Sequence, residues 1–298
     1  PAFLLDEKYA GESAASKLAR VREQMAQKGA HVHVLTSLDD IAWLLNIRGN
    51  DVACNPVVLS YAAVTADQVY LFAHAQKFDS AMKDYFSKNG VCLMPYNDIY
   101  EWLKAVPAKT CVMYNKEKIN YAIYKNISAD CPVADCENPT LLMKAVKNDT
   151  EIENLIRAHI KDGVAFTKFM YWLKTNAGKI PMTEISASDY LEQCRRAQDG
   201  FIELSFDTIC AYKSNAAMMH YSAHGDQNAT LEPEGLLLVD SGGQYYEGTT
   251  DITRTMALGP VSDEIKKHYT AVLKGMLNLA NANFLYGCIG LNLDILAR

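Results

Sequence analysis

The stretch Leu236–Thr255 reads LLLVDSGGQYYEGTTDITRT, and the organisation of the chain follows from it. A run of apolar residues ends in Asp240, and a second β-prone run carries Asp251. Glycines and tyrosines separate the two runs, as in two strands joined by a bend. We predict an antiparallel hairpin that folds near Tyr246 and brings the two aspartates roughly opposite one another.

Paired aspartates on neighbouring strands point to a metal site. Cross-strand neighbours have Cβ atoms about 5 Å apart, and two carboxylates that close beside a buried run repel each other and resist desolvation. One or two divalent cations would stabilise the pair. The alternative is ordinary turn chemistry, because aspartate is common at strand ends and Asp-Ser-Gly-Gly is a frequent turn sequence. The positions of Asp240 and Asp251 alone leave both interpretations open.

The whole string VDSGGQYYEGTTDITRT favours the metal site. It resembles the first metal-binding segment of the pita-bread metallopeptidases, the family that holds aminopeptidase P, prolidase and methionine aminopeptidase. The resemblance implies that Asp240 and Asp251 help to hold two divalent metal ions, which we expect to be Mn²⁺. It also implies that Ser241, Thr253 and Arg254 align these carboxylates.

The composition is that of an ordinary globular protein. The 298 residues are 49% hydrophobic and 21% charged, which is enough for two domains with cores. A net charge of −6 without a basic run argues against a nucleic-acid partner. No apolar run reaches membrane-spanning length, and the first residues lack a signal-peptide pattern. We expect a cytoplasmic protein that makes no membrane contact.

Eight cysteines are spread over the chain, and none forms a C-x-x-C pair. Several lie inside apolar runs, such as Cys92 in VCLM and Cys111 in TCVMY. We therefore expect buried free thiols in a reducing cytosol rather than a zinc cluster.

The region before residue 139 alternates predicted helices and strands. The first helix, strand and second helix are predicted at Ser13–Lys28, His31–Thr36 and Ser37–Ile47. Alternation continues to a Pro-, Asp- and Asn-rich stretch at 132–139, which indicates an α/β layer domain around a central sheet. His31 and His33 fall on one face of their strand. Such a pair could bind metal, but solvent-exposed histidines are the favoured interpretation.

A second resemblance lies at Thr36–Thr65, TSLDDIAWLLNIRGNDVACNPVVLSYAAVT. This segment resembles the middle domain of the long, three-domain form of aminopeptidase P, with its D-x-I-A-W-L-x-N-x-R-G-x-D pattern followed by N-P-V. The resemblance implies an α/β creatinase-like domain at residues 1–138, in which Arg48 and Asp51 could project toward substrate. The local alternative is that Arg48 pairs with Asp51 or caps a helix end.

Residues 139–298 resemble the first half of a pita-bread domain, which is an α+β fold. Long helices are predicted at Asp149–Thr175, Glu184–Ala197 and from Ser262 to about Asn281. The apolar face of the first of these helices is assigned to Ile152, Leu155, Ile156, Ile160, Val164, Phe166, Phe169, Met170 and Leu173. The buried side of the third is assigned to Ile265, Tyr269, Val272, Leu273 and Met276.

His220 follows an apolar pair in Met218-Met219-His220-Tyr221. At this place in the sequence, aminopeptidase P and prolidase keep a histidine that contacts the substrate near the metals, and its position 20 residues before Asp240 is that of the long form of aminopeptidase P. The resemblance therefore implies a catalytic role for His220, and a half-buried structural histidine is the alternative. Two departures affect this region. Asp207 replaces a usual proline, and Lys213-Ser214 stands where glycine-rich residues are common, so the loop conformation can differ.

The ligand set implied by the resemblance is incomplete in this chain. The family uses two aspartates, one histidine and two glutamates, but beyond Asp251 this sequence has only His268 and Glu264. Neither lies in the family's sequence context. We therefore predict a fragment made of the middle domain, 1–138, and the first half of the catalytic domain, 139–298. We expect it to lack peptidase activity and to expose apolar surface.

For the whole protein, the resemblance implies a homodimeric metallo-aminopeptidase that releases the first residue from peptides with proline second. A prolidase- or creatinase-like hydrolase on the same fold is one alternative, and a non-catalytic peptide- or protein-binding module is another. The Arg48 segment and the spacing of His220 and Asp240 favour aminopeptidase P over the first. Retention of both aspartates and of His220 argues against the second.

Overall fold

A computed structural model describes all residues from Pro1 to Arg298. The chain divides into two compact units, each built from several segments. The first comprises Pro1–Phe166, Cys194–Asp207 and Ser241–Asp251, and the second comprises Thr167–Gln193, Thr208–Asp240 and Ile252–Arg298.

Helices and strands alternate through the first half of the chain, whereas the second half has longer helices and groups of short strands. The α-helices are α1 (Glu7–Ala10), α2 (Ala14–Gln27), α3 (Leu38–Leu45), α4 (Ser80–Lys88), α5 (Ile99–Lys104), α6 (Tyr121–Asn126), α7 (Pro139–Ala145), α8 (Asp149–Asn176), α9 (Glu184–Arg196), α10 (Asp263–Ala280) and α11 (Gly290–Leu293). The strands are β1 (Phe3–Leu4), β2 (Val32–Leu35), β3 (Ile47–Arg48), β4 (Ser60–Val64), β5 (Val69–Ala73), β6 (Val91–Met94), β7 (Val112–Tyr114), β8 (Val133–Asp135), β9 (Phe201–Leu204), β10 (Ile209–Tyr212), β11 (Leu236–Ser241), β12 (Gly243–Tyr245), β13 (Gly248–Thr249) and β14 (Ile252–Ala257). Short 3₁₀ helices lie at Ala75–Lys77, Tyr96–Asp98, Lys213–Ala217 and Asp294–Leu296.

The first unit is organised around a six-stranded mixed sheet with the order β6-β5-β4-β2-β7-β8. Its β2–β4 and β4–β5 pairs are antiparallel, and its β5–β6, β2–β7 and β7–β8 pairs are parallel. Ala62 and Val64 pack into one buried apolar cluster with α2, α3 and α4, whereas Ala63 between them packs into another with α5 and α6. Helices therefore cover both faces of the sheet. The predicted α/β layer domain is confirmed.

His33 is buried, so the expectation of a solvent-exposed strand histidine was wrong for this residue. Its strand β2 lies inside the sheet with helices on both faces, so neither face of the strand meets water. The Nδ1 atom lies 3.1 Å from the carbonyl oxygen of Met113. Burial disfavours the charged imidazolium and lowers the pKa of His33 to about 4. His31, just before the strand, is exposed as expected and accepts a hydrogen bond from the Cys111 N–H.

Helix α8 buries only part of the apolar face predicted for it. Phe166, Phe169 and Leu173 are buried as predicted. Four other residues assigned to that face are exposed, Ile152 by 45%, Ile156 by 55%, Ile160 by 62% and Val164 by 43%. Helical spacing fits the covered and the exposed residues equally, so periodicity alone could not distinguish them.

The stretch from Leu236 to Thr255 forms four short strands, so the prediction of two strands was wrong. In the first unit, β12 and β13 make a hairpin in which Gln244 lies opposite Thr249 and Tyr245 lies opposite Gly248. This confirms the predicted bend near Tyr246. In the second unit, the sheet order is β10-β11-β14, and β10 and β11 are antiparallel.

Helix α10 has no buried residue, so the predicted burial of one of its faces was wrong. Tyr269, Val272, Leu273 and Met276 are 44%, 73%, 40% and 52% exposed. Periodicity reveals an apolar face but does not reveal whether another element covers it. The exposed apolar surface expected for this chain is present on this helix.

All eight cysteines are free thiols, as predicted, but only Cys131, Cys194 and Cys210 are buried; four are half-buried and Cys288 is exposed. None of the helices combines the length and the apolarity that crossing a bilayer requires.

Candidate metal centre and the histidine loop

Asp240 occupies the fifth position of β11, opposite Ile209 of β10. Its neighbours Val239 and Ser241 are buried, whereas Asp240 itself is half-buried. This alternation is the strand period of two, which places Asp240 on the opposite face from the buried side chains. The sequence thus folds one carboxylate onto the accessible face of a short sheet.

Thr253 on β14 holds the carboxylate of Asp240. Its Oγ1 donates a hydrogen bond to Asp240 Oδ1 at 2.7 Å. A hydroxyl that binds one carboxylate oxygen restricts the rotation of the group, as the outer-shell partners of metal ligands do. The neighbouring Arg254 donates instead to the Thr253 carbonyl oxygen and is exposed. The alignment role expected for Thr253 is therefore supported by a contact, and that expected for Arg254 is not.

Asp251 is exposed and lies directly before β14, after an anchored threonine. Thr250 is buried, and its hydroxyl accepts a hydrogen bond from the Gly243 N–H at 2.9 Å. The Thr250 carbonyl oxygen accepts one from the Ser205 hydroxyl at 2.9 Å. A Cβ at Gly242 would lie 2.0 Å from that carbonyl oxygen, so only glycine fits there. These contacts fix the backbone that presents Asp251.

No group of three or more His, Cys, Asp or Glu side chains converges on a metal-sized site in the chain. His268 and Glu264 are both exposed on α10. Two carboxylates are suitable oxygen donors for a hard divalent cation, but two alone do not make a full coordination shell. The set of metal ligands predicted from the sequence is therefore incomplete.

His220 lies in the loop that links β10 to β11. Its backbone has φ of +54°, the left-handed region that residues with a Cβ adopt at a cost. The side chain is exposed, and Met219 beside it is 89% exposed. The histidine is consequently presented to solvent rather than half-buried in a core.

Glu184, at the first position of α9, was missed as a functional residue by sequence reasoning. Its side chain is fully buried and accepts hydrogen bonds from Tyr212 N–H at 2.7 Å, Asn215 Nδ2 at 3.0 Å, Tyr221 O–H at 2.6 Å and Ala229 N–H at 2.9 Å. Burial alone would raise the pKa of Glu184, but these hydrogen bonds outweigh burial and lower it below its ordinary value. Burial, together with Glu184, raises the pKa of Tyr221 to about 12.

The Arg48 segment has a local structural role. Arg48 Nη1 donates to the carbonyl oxygens of Ala42 at 3.0 Å and Ile47 at 2.9 Å, which caps the end of α3. Asp51 accepts from the Leu59 N–H and pairs with Lys77. Helix-end capping, one of the two local alternatives, is therefore what the structure contains.

A cavity of about 380 Å³ in the first unit is lined by Arg48, Lys17, Trp43 and Glu151, among others. Burial lowers the pKa of Arg48 to about 10 and that of Lys17 to about 8. Lys17 Nζ donates to the Trp43 carbonyl oxygen and to Asn46 Oδ1. Lys17 is thus bound by other residues of the cavity wall.

Comparison with known families agrees with this architecture. Residues 1–151 match the family described as Creatinase/Prolidase N-terminal domain, and residues 153–298 match Metallopeptidase family M24. The chain belongs to the creatinase/prolidase N-terminal domain family and continues into an M24 domain.

Relatives of known name cover the whole chain. A probable Xaa-Pro aminopeptidase P of Neurospora crassa is 38% identical over 100% of this chain and 45% of its own length, and one of Chaetomium globosum is 39% identical over 100% and 50%. The chain therefore spans about half the length of the curated relatives that it matches.

Solved structures of two related enzymes are similar to the chain over nearly all of its length. An X-prolyl aminopeptidase from Caenorhabditis elegans, described as a cytosolic enzyme with a di-nuclear active site, superimposes with a TM-score of 0.93 at 35% identity. The match covers 100% of this chain and 50% of that one. The prolidase from Pyrococcus horikoshii has a TM-score of 0.70 at 18% identity and shows the fold alone.

Beside the strand end of the M24 domain, Ser241 takes part in a buried polar network. Its hydroxyl accepts from Arg195 Nη2 at 3.0 Å, and Arg195 also binds Asp162 through two hydrogen bonds. The Tyr245 hydroxyl donates to Asp162 Oδ1 at 3.0 Å, and burial together with this carboxylate raises the pKa of Tyr245. Sequence reasoning missed this network. Its available signal was Asp162, a carboxylate spaced with Ala158 and Phe166 on the buried face of α8.

Proposed function

We propose that the whole protein to which this chain belongs is a metal-dependent aminopeptidase that releases the N-terminal residue from peptides with proline second. The names of the relatives, at 38% and 39% identity across the whole chain, support this proposal. We further propose that it is a cytoplasmic homodimer without nucleic-acid or membrane partners. The description of the Caenorhabditis elegans structure as a cytosolic enzyme supports the location, and the net charge of −6 argues against a nucleic-acid partner.

The residues proposed for the site are Asp240 and Asp251 as metal ligands and His220 as the group that contacts substrate. The observation that carries the proposal is the hydrogen bond from Thr253 to Asp240, because it orients one carboxylate of the V-D-S-G and T-D-I-T-R-T pair. A pair of divalent ions, proposed to be Mn²⁺, would polarise the scissile carbonyl and stabilise negative charge on it. The aspartates would hold the ions, and the exposed His220 would orient the peptide.

This chain by itself is proposed to have no peptidase activity. Its two carboxylates do not form part of a larger cluster of metal-binding side chains. The proposed division is a creatinase-like domain at 1–138 and the first half of the catalytic domain at 139–298. Ligands beyond these aspartates would come from the additional length that the relatives carry.

The test is an assay of the full-length natural enzyme on an Xaa-Pro-Yaa tripeptide, with and without added Mn²⁺. We expect release of the first residue, dependence on metal and loss of turnover in Asp240→Asn, Asp251→Asn and His220→Ala. Asp263→Asn is the matched control, because Asp263 is an exposed aspartate paired with Lys266 on α10. Cleavage restricted to Xaa-Pro dipeptides would indicate a prolidase instead. Peptide binding without turnover at any metal concentration would indicate a binding module.

A further inference from the structure

We propose that Glu184 is the positioning residue for His220, acting through Tyr221 on the loop that carries the histidine. The inference rests on the substrate contact proposed for His220. It assigns a role to a buried carboxylate that is neither a metal ligand nor a substrate contact in that proposal.

The first argument is that Glu184 joins the start of the loop, at Tyr212, to Ala229 farther along it. Its Oε1 accepts from the Tyr212 N–H at 2.7 Å, where β10 ends, and its Oε2 accepts from the Ala229 N–H at 2.9 Å. One carboxylate thus binds both Tyr212 and Ala229. Between these two residues, regular structure is limited to the 3₁₀ turn Lys213–Ala217 and a single bridge between His224 and Gln227.

The second argument is the link to the histidine itself. Tyr221 follows His220 directly, and its hydroxyl donates to Glu184 Oε2 at 2.6 Å. Asn215 Nδ2 lies 3.0 Å from both Glu184 Oε1 and the Tyr221 oxygen, which closes a triangle of side chains. The anchored tyrosine therefore fixes the peptide that joins it to His220.

The third argument is that packing does not hold His220 in place. The residue has φ of +54°, a conformation that persists only where the surroundings enforce it. Met218 and Met219 before it are 54% and 89% exposed, so they provide little packing. The hydrogen bonds around Glu184 are the contacts that can impose this backbone conformation.

The ionised state of Glu184 is suited to this role. All four groups that face it are donors, so a carboxylate satisfies each of them. In Glu184→Gln, an amide nitrogen would take the place of one carboxylate oxygen. That nitrogen would face hydrogen-bond donors, so at least one of the anchoring bonds would be lost although the side chain keeps its size.

The experiment compares Glu184→Gln, Tyr221→Phe and Tyr190→Phe in this chain. Tyr190 is the matched control because it lies on the same helix and its ring stacks on Trp172 at 4.0 Å. Amide hydrogen exchange across residues 213–229 should quicken roughly ten-fold or more in the first two variants and stay unchanged in the third. The imidazole resonances of His220 should shift or broaden in the same two variants.

In the full-length enzyme, Tyr221→Phe should lower kcat by roughly ten-fold or more with a smaller change in KM, and metal affinity should not change. Unaltered exchange and an unaltered His220 resonance in a folded Tyr221→Phe overturn the proposal, even if Glu184→Gln fails to fold. If His220→Ala leaves turnover unchanged, the substrate role of His220 is wrong. The exchange and resonance data would still decide whether Glu184 positions it.

Discussion

Arg195 and Asp162 form a bidentate ion pair inside the protein, with Nε–Oδ1 of 2.6 Å and Nη2–Oδ2 of 3.0 Å. Their side chains are 0% and 2% exposed. Because both charges are buried away from water, each is stabilised by the other and by the hydroxyls of Ser241 and Tyr245. Arg195 Nη1 has no hydrogen-bond partner, which leaves the guanidinium incompletely satisfied.

Removing one partner of this pair should destabilise the chain strongly. Arg195→Met leaves the Asp162 carboxylate buried without its cation, so the free energy of unfolding should fall by about 3–5 kcal/mol in urea titrations followed by circular dichroism. The control is Arg157→Met, whose exposed pair with Glu153 at 3.7 Å should be worth less than about 1 kcal/mol. Equal losses in the two variants would contradict the argument. Arg195→Met combined with Asp162→Leu should recover much of the loss.

His33 should make stability depend on pH in a defined window. The folded-state pKa of about 4 lies below the ordinary 6.5, so the unfolded state takes up the proton first as pH falls. The contribution of His33 to the free energy of unfolding is therefore complete above pH 6.5. It declines as the pH falls toward 4, by as much as about 3 kcal/mol. Urea titrations at several pH values should show this decline in the wild-type chain. His33→Gln should remove that component, and parallel pH profiles for the two proteins would disprove it.

Local patterns predicted most elements because local chemistry determines them. The helices predicted to start at Ser13 and Ser37 are α2 and α3, and each serine is the N-cap, since a serine hydroxyl satisfies a free N–H at a helix start. The bend near Tyr246 was predicted for the same reason, from glycines and β-prone runs. The role of Thr253 beside Asp240 was implied by the resemblance of the motif to the metallopeptidase family, and the hydrogen bond between them agrees with it.

Burial was harder to predict because it depends on partners distant in sequence. The pattern of β2 could not show that helices cover both of its faces, which is why His33 was assigned to solvent. The apolar stripes of α8 and α10 fit helical periodicity whether or not anything packs on them. Glu184 was missed for a related reason, because its four donors come from residues 212–229, far along the chain.

Thr253 should affect metal affinity rather than folding. In the full-length enzyme, Thr253→Val removes the hydroxyl that holds Asp240, so Mn²⁺ affinity measured by calorimetry should fall by roughly 10–100-fold. Thr253→Ser retains the hydroxyl and should restore most of the affinity. Thr249→Val is the control, because Thr249 Oγ1 bonds Gln244 Oε1 in the β12–β13 hairpin. Unchanged affinity in Thr253→Val would show that Asp240 needs no such alignment.

The apolar surface of α10 and the segment after it should drive this chain to self-associate. Val272 is 73% exposed and Leu285 is 85% exposed, within a larger set of exposed apolar side chains. Val272→Glu combined with Leu285→Glu should lower the weight-average mass in sedimentation experiments, whereas Lys274→Glu on the same helix should not. Ile156→Glu tests the exposed stripe of α8 separately. If only Ile156→Glu restores the monomer, association runs through α8, and the surface of α10 does not drive it.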